Sequence, residues 1–304
     1  MRRKSILSAV PLSAALAASM LIGAHAAGPQ ADAKAAAGAK AAAYGSSWDE
    51  FQTLKVKAKG GTVFTPMTVP DWSGIWRRAG DPEAMDASPI VEAMTPKYKA
   101  AYAEKRARIA KGIEWDRLSW CLPMGMPRWL ADPWLHEFIV TPKQTWMLYE
   151  QLQEERRIYT DGRGHVSDAV AIPQWEGDSI GFWDGETLVI HTNHMKAGEY
   201  WRGAPDFSFQ ASTIERWRRV DAETMEAQLT VYDPVSLIHP IHLTYTYRKI
   251  KDPEVRIAYD SCEEGNNNFR TAEGGTGTLL PGDPGYREPT NFGIPEVAID
   301  SLPK

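Results

Sequence analysis

From Trp134 onward, apolar residues recur at every second position, the spacing of strands that bury one face. Residues 226–232 set Ala227, Leu229 and Val231 on one side and Glu226, Gln228 and Thr230 on the other. Residues 241–248 repeat the pattern, with Ile241, Leu243, Tyr245 and Tyr247 opposite His242, Thr244, Thr246 and Arg248, and Val255, Ile257 and Tyr259 mark a third such face. The stretch from Ile139 to Thr192 reads as three short strands, a loop Asp161-Gly162-Arg163-Gly164-His165, and a hairpin turning at Asp184-Gly185 that ends on His191-Thr192-Asn193-His194. About eight to ten strands joined by short turns predict a mainly β fold, an antiparallel meander that hides its edges by closing into a single barrel.

One helix is signalled ahead of the strands. Thr95 suits an N-cap, Pro96 the first helical position, and helix formers run to Lys111 before Gly112. Its apolar positions, Tyr98, Ala101, Tyr102 and Ile109, form a thin stripe, so it is expected to pack outside the barrel. Residues 1–26 read as a signal peptide, with basic Arg2-Arg3-Lys4, an apolar stretch to Ile22 and a cleavage site at Ala24-His25-Ala26. Ser5 stands where a twin-arginine signal carries a bulky apolar residue, so general export is expected. Residues 27–45 form a flexible Ala-rich leader, 46–270 the barrel domain and 271–304 an irregular Gly/Pro-rich tail.

The signal carries three basic and no acidic residues, so its removal takes the net charge from −5 to −8. An acidic chain without basic runs argues against nucleic acid and anionic membranes as partners, and no segment after the signal is apolar enough to span a bilayer. The expected location is periplasmic or secreted. There the only cysteines, Cys121 and Cys262, are expected to form a disulfide, and two thiolates alone cannot build a zinc site.

Several segments occur together in a recognisable order: Asp71-Trp72-Ser73-Gly74-Ile75-Trp76, Cys121-Leu122-Pro123-Met124-Gly125-Met126-Pro127-Arg128, Thr160-Asp161-Gly162-Arg163, Ser179 to Val189, Glu215-Arg216, Tyr232-Asp233-Pro234 and Cys262-Glu263-Glu264. The set, spread over residues 70–268, resembles a large family of exported bacterial β-rich proteins of unknown function. The resemblance implies export and a single β-rich body, and it brings no assigned catalytic residues. Gly265 departs from the family by interrupting the run after the second cysteine. The Gly74-x-Trp76 element resembles the opening strand of lipocalin-like barrels, in which the Trp plugs one end.

The Asp161–His165 loop presents an acid, a cation and an imidazole together, as a general acid/base or anion clamp requires, although tight turns use the same residues. His191 lies on a strand and His194 just past its end. Their spacing does not put both rings on one face, and His239 and His242 share the difficulty, so no metal site is expected. The candidate catalytic residues are His191 or His165 as base, Asp161 to orient an imidazole and Arg163 to hold developing negative charge. Trp129 and Trp134, flanking Asp132-Pro133, are candidates for a ligand rim. Tyr149, His194, Tyr200 and Trp201 complete the ligand-binding set, with Lys196, Glu199 and Tyr200 in a loop that suits a lid. Trp76, Trp146 and Trp183 read as core. No nucleophile elbow, P-loop or dinucleotide fingerprint occurs. The expectation is a barrel that binds a small apolar or aromatic molecule, acting as a cofactor-free lyase, isomerase or hydratase, or as a binding protein without catalysis.

Overall fold

The computed structural model describes residues 45–80, 85–263 and 266–287. The expected signal peptide (1–26), residues 27–44 of the leader, Gly265 and residues 288–304 of the tail lie outside the described residues.

Nine strands close into a barrel: β1 (Ile75–Arg78), β2 (Leu135–Val140), β3 (Gln144–Tyr149), β4 (Glu155–Tyr159), β5 (Asp178–Asp184), β6 (Thr187–Asn193), β9 (Ser212–Arg219), β10 (Thr224–Tyr232) and β11 (Ile241–Lys249). The short strands β7 (Gly198–Glu199) and β8 (Asp206–Phe207) pair with each other outside it. Around the ring the order is β1-β11-β10-β9-β6-β5-β4-β3-β2, and β1 pairs antiparallel with both β11 and β2 to close it.

The barrel is mixed and not the purely antiparallel meander expected. Each antiparallel neighbour reverses strand direction, so an odd ring of nine cannot close unless at least one pair runs parallel. That pair is β4 and β5, joined in register only at Ile158↔Ser179 and Tyr159↔Ile180. The long connection 160–177 carries the chain back to the end at which β4 began. The hairpin between β5 and β6 turns on Gly185-Glu186, one residue later than expected, with Asp184 paired to Thr187 and Gly185 at φ 60°.

The inward positions are aromatic. Trp76, Trp183, Trp217 and Tyr247 are almost fully buried, Trp217 stacks 5.1 Å from Tyr247, and Phe138 stands 5.5 Å from Trp217. Trp146 instead points outward and is half-buried beneath Arg157, 4.4 Å from its ring. Aromatic side chains thus fill much of the interior. Residues 255–259 form no strand and Tyr259 is exposed, because β1 already satisfies the edge of β11. In the tail, β13 (Thr276–Thr278) pairs with β12 (Asn268–Arg270), so that part is not irregular.

The expected helix is present as α3 (Pro96–Ile109), with no buried residues. A short α2 (Ser88–Ala93) precedes it. A further helix, α1 (Ser47–Lys57), was not expected. Ser46 caps it by accepting from the Asp49 amide at 3.1 Å, with Asp49 and Glu50 in the first turn and Lys55 and Lys57 in the last, matching the helix dipole. Phe51 anchors it against the outer faces of β5, β6 and β9 among Phe182, Val189 and Ile214, a burial worth roughly 2 kcal/mol. The Tyr232 hydroxyl donates to Glu50 and ties the helix to β10.

Cys121 and Cys262 are bridged, closing a sequence separation of 141. In the chain-entropy picture so long a loop confers about 5 kcal/mol. Cys121→Ser with Cys262→Ser should therefore lower the unfolding free energy by up to about 5 kcal/mol in a denaturant titration. Identical midpoints for the two proteins would show that the bridge stabilises nothing.

Candidate functional site

A cavity of about 680 Å³ opens at the parallel seam, lined by β4, the 166–177 crossover and the start of β5. Its walls combine apolar Val166, Val170 and Ile172 with Glu154, Arg156 and Glu176. The crossover is held by close backbone approaches: the Met126 amide donates to the Trp175 carbonyl at 2.9 Å. Gly125 permits this at φ 67°, since a Cβ there would lie 2.7 Å from the Trp175 oxygen. The glycine of the Cys121–Arg128 segment is thereby accounted for.

Behind the cavity a complete ion pair occupies the barrel interior. Arg156 and Ile158 alternate inward on β4, while Glu215 and Trp217 alternate inward on β9. Arg156 donates to the two Glu215 oxygens at 2.8 and 2.6 Å. It also bonds Ser179 at 3.1 Å and Thr192 at 2.7 Å, and Trp217 Nε1 donates to Glu215 at 2.9 Å. Both charges are almost wholly excluded from water. Such a pair persists because every polar atom is matched, and it favours one strand register over others.

The carboxyls of Glu154 and Glu176 are matched differently. Glu154 Oε1 accepts from the Met124 amide at 2.7 Å. Among the described residues no N–H or O–H reaches Glu154 Oε2 or either oxygen of Glu176, all of which are buried. The two carboxyls adjoin each other. Burial first, and the adjacent Glu154 second, push the Glu176 pKa well above the usual carboxylate range against the opposing pull of Arg156. A proton retained on Glu176 gives it a donor beside the adjoining carboxyl.

A second constellation runs beneath α1. His165 Nδ1 lies 2.9 Å from Asp178, His165 Nε2 lies 2.7 Å from His191 Nδ1, His191 Nε2 lies 2.9 Å from Ser47 Oγ, and Ser47 Oγ lies 2.7 Å from Ser212 Oγ. Burial opposes the Asp178 charge, but bonds from His165 and the Val166 amide outweigh it and keep the pKa low. A carboxylate only accepts, so His165 carries its proton on Nδ1, His191 donates from Nδ1, and Ser47 donates to His191 Nε2. Burial, reinforced by His165, lowers the His191 pKa to about 3. The order Ser–His–His–Asp is that of an activated hydroxyl. Ser47, however, is buried, is engaged by Ser212, and lines neither this cavity nor the one on the far side of Trp175. The relay therefore fastens α1 to β6 and β9.

Of the residues expected to be catalytic, the fold brings His165 and His191 together and leaves the other two apart. Asp161 and Arg163 pair with each other at 2.7 Å on the surface, with Arg163 over the Tyr159 ring at 4.0 Å. The carboxylate that orients the imidazole is Asp178, because the crossover folds His165 back onto the first residue of β5. Of the expected ligand residues, His194 lines the cavity, in a left-handed turn with φ 52°, and contacts Asp168 at 2.9 Å. Trp129 is fully buried against His136 at 4.6 Å, and Tyr149 points into the same aromatic cluster. Trp134 is exposed outside this cavity. Tyr200 and Trp201 are buried, and Glu199 pairs with Lys105 at 2.6 Å. Arg156, Glu154, Glu176 and Asp178 lie outside the sequence-based candidates, and Glu215 enters there only within the Glu215-Arg216 segment. Opposite charges on the inward parity of two strands were the available signal for Arg156 and Glu215.

No model of a known family matches the chain, and no curated protein does. Among the described residues no group of three or more His, Cys, Asp or Glu is disposed to hold a metal ion, and no helix is long and apolar enough to cross a membrane.

Two outcomes follow. Arg156→Met or Glu215→Gln alone strands a buried charge or breaks its network and should cost about 3–5 kcal/mol, whereas Arg156→Met with Glu215→Leu should cost less than either. Additive losses in denaturant titrations would argue against coupling. For His191, the unfolded imidazole takes up its proton near pH 6.5 and the folded one near 3, so its contribution is complete above 6.5 and is lost as pH falls toward 3. His136 shares that range, its pKa lowered to about 3 by burial, so localised amide exchange is the suitable readout. Corrected for intrinsic rates, protection in α1 should fall on acidification before that of β9 and β10. Protection that declines equally in all three would sink the fastening role.

Proposed function

We propose that the chain is exported, to the periplasm or beyond the cell, and binds a small apolar or aromatic molecule in the seam cavity, where Glu154 and Glu176 move a proton to or from it. The observation carrying this reading is the buried carboxyl pair at the cavity wall. A protonated Glu176 beside Glu154 supplies an acid and a base in one place, facing apolar Val166, Val170 and Ile172. The reaction class is that of a cofactor-independent lyase, isomerase or hydratase. Asp178 lines the cavity and ends the His165–His191 relay, so the orientation of α1 and that of the cavity wall are linked. Export is supported by the Cys121–Cys262 bridge, which suits an oxidising compartment, and by the pattern of residues 1–26.

One observation favours a binding or carrier role without turnover. The Glu176 oxygens are sealed from solvent, so a ligand reaches them only if a side chain moves.

The readings separate in one experiment. Small molecules that co-purify with the mature chain, identified by mass spectrometry, are returned to it in D2O. Proton transfer predicts deuterium incorporation or conversion, slowed at least about 100-fold by Glu176→Gln with binding retained. Binding with neither assigns the carrier role. A substrate-free check uses linkage: the folded state holds the Glu176 proton above pH 4.5, where the unfolded chain has released it, so stability falls as pH rises. Glu176→Gln, neutral throughout, should be more stable than wild type at pH 8 and converge with it near 4.5. Parallel pH profiles would show that Glu176 does not retain its proton.

A further inference from the structure

A second cavity, of about 700 Å³, lies on the far side of Trp175, which lines both. Its acidic wall is largely neutralised. Lys105 bridges Glu199 at 2.6 Å and Asp206 at 2.8 Å, Arg128 meets Glu199 at 2.7 Å, and Arg202 holds Glu114 at 2.9 Å. Among the described residues, Arg108, Arg117, Lys196 and Arg270 line the cavity with no carboxylate in ion-pair range, against a single unpaired acid, Glu104, exposed on α3.

Arg117 is the informative member. It is buried, yet it donates only to carbonyls, those of Met124 at 2.9 Å and Ala197 at 3.4 Å. These take up two of its hydrogens and carry no charge of their own; burial pushes its pKa down against the pull of Glu199, which lies outside ion-pair range. The guanidinium carbon sits 4.9 Å from the Trp175 ring centroid, and Lys196 Nζ sits 4.3 Å from the same ring. One indole thus contacts both cations. Gly198 makes the room, since a Cβ there would stand 2.1 Å from Nη2. Trp115 and Phe209 expose aromatic faces in the same lining, 42% and 39% accessible.

We propose that this cavity binds a small aromatic carboxylate, its carboxylate between Arg117 and Lys196 and its ring against Trp115 and Phe209. Two cations with no carboxylate in ion-pair range favour an anion, and the exposed rings select the aromatic body. The site is separate from the seam cavity and does not depend on proton transfer there.

Calorimetric titration of the mature chain with benzoate, phenylacetate and 4-hydroxycinnamate tests it, with 2-phenylethanol, acetate and inorganic phosphate as comparators. At least one aromatic acid should bind saturably and ten times or more tighter than every comparator. Lys196→Met should weaken it about tenfold or more. Gly198→Ala, which displaces the guanidinium, should do the same, while Glu176→Gln in the seam cavity should leave it unchanged. The proposal is overturned if none of the three acids binds at millimolar concentration, if the neutral alcohol or phosphate binds as tightly, or if Lys196→Met has no effect. Loss of binding in Glu176→Gln alone would move the ligand to the other cavity and equally overturn it.

Discussion

Direction must return to itself around a closed ring of strands, and with nine strands that condition forces a parallel neighbour. The barrel meets it once, between β4 and β5, where only two residue pairs hold the register. A parallel step also demands a crossover, and residues 160–177 supply it without a helix. That crossover brings His165, Trp175 and Glu176 to the seam and leaves β4 and β5 loosely joined. The cavity, the carboxyl pair and the His165 end of the relay follow from this one irregularity.

Elsewhere several buried charges are closely matched. Arg156 and Glu215 satisfy each other inside the barrel. Arg128 joins Asp116, Asp132 and Glu199. Asp233, at the end of β10, takes bonds from Ser208, Val235 and Ser236, so the Tyr232-Asp233-Pro234 segment is a turn anchor. Among the described residues Arg78 also bonds only carbonyls, lining neither cavity; two other imperfect matches carry more meaning. Glu176 faces another acid, and Arg117 faces only carbonyls. Each borders a cavity, where a bound molecule can supply what the protein does not.

Much of the architecture was legible. The alternation at 226–232 and 241–248 became β10 and β11, the Thr95-Pro96 start became α3, and the two cysteines met. The alternation at 255–259 did not become a strand, because a strand needs an unpaired edge and β1 had taken it. Helix α1 carried its signal in Ser46, Asp49 and Lys55, but one buried aromatic, Phe51, is too thin an apolar stripe to stand out. For the site, His165 and His191 were visible as titratable groups at strand ends. Asp161 shares its loop with His165, yet the acid that His165 meets in space is Asp178.

Local spacing sets which face a strand buries and where a helix starts, because those depend on backbone geometry within a few residues. Strand content, the external helix and the disulfide partners were therefore determined by the sequence alone. Ring parity, by contrast, depends on the number of strands that finally close, and no local window contains that count. Only the tertiary structure decided that Glu154 would meet Glu176, that Arg156 would meet Glu215 through the barrel, and that Arg117 and Lys196 would share one indole. Each of those encounters joins residues whose neighbours in sequence say nothing of each other.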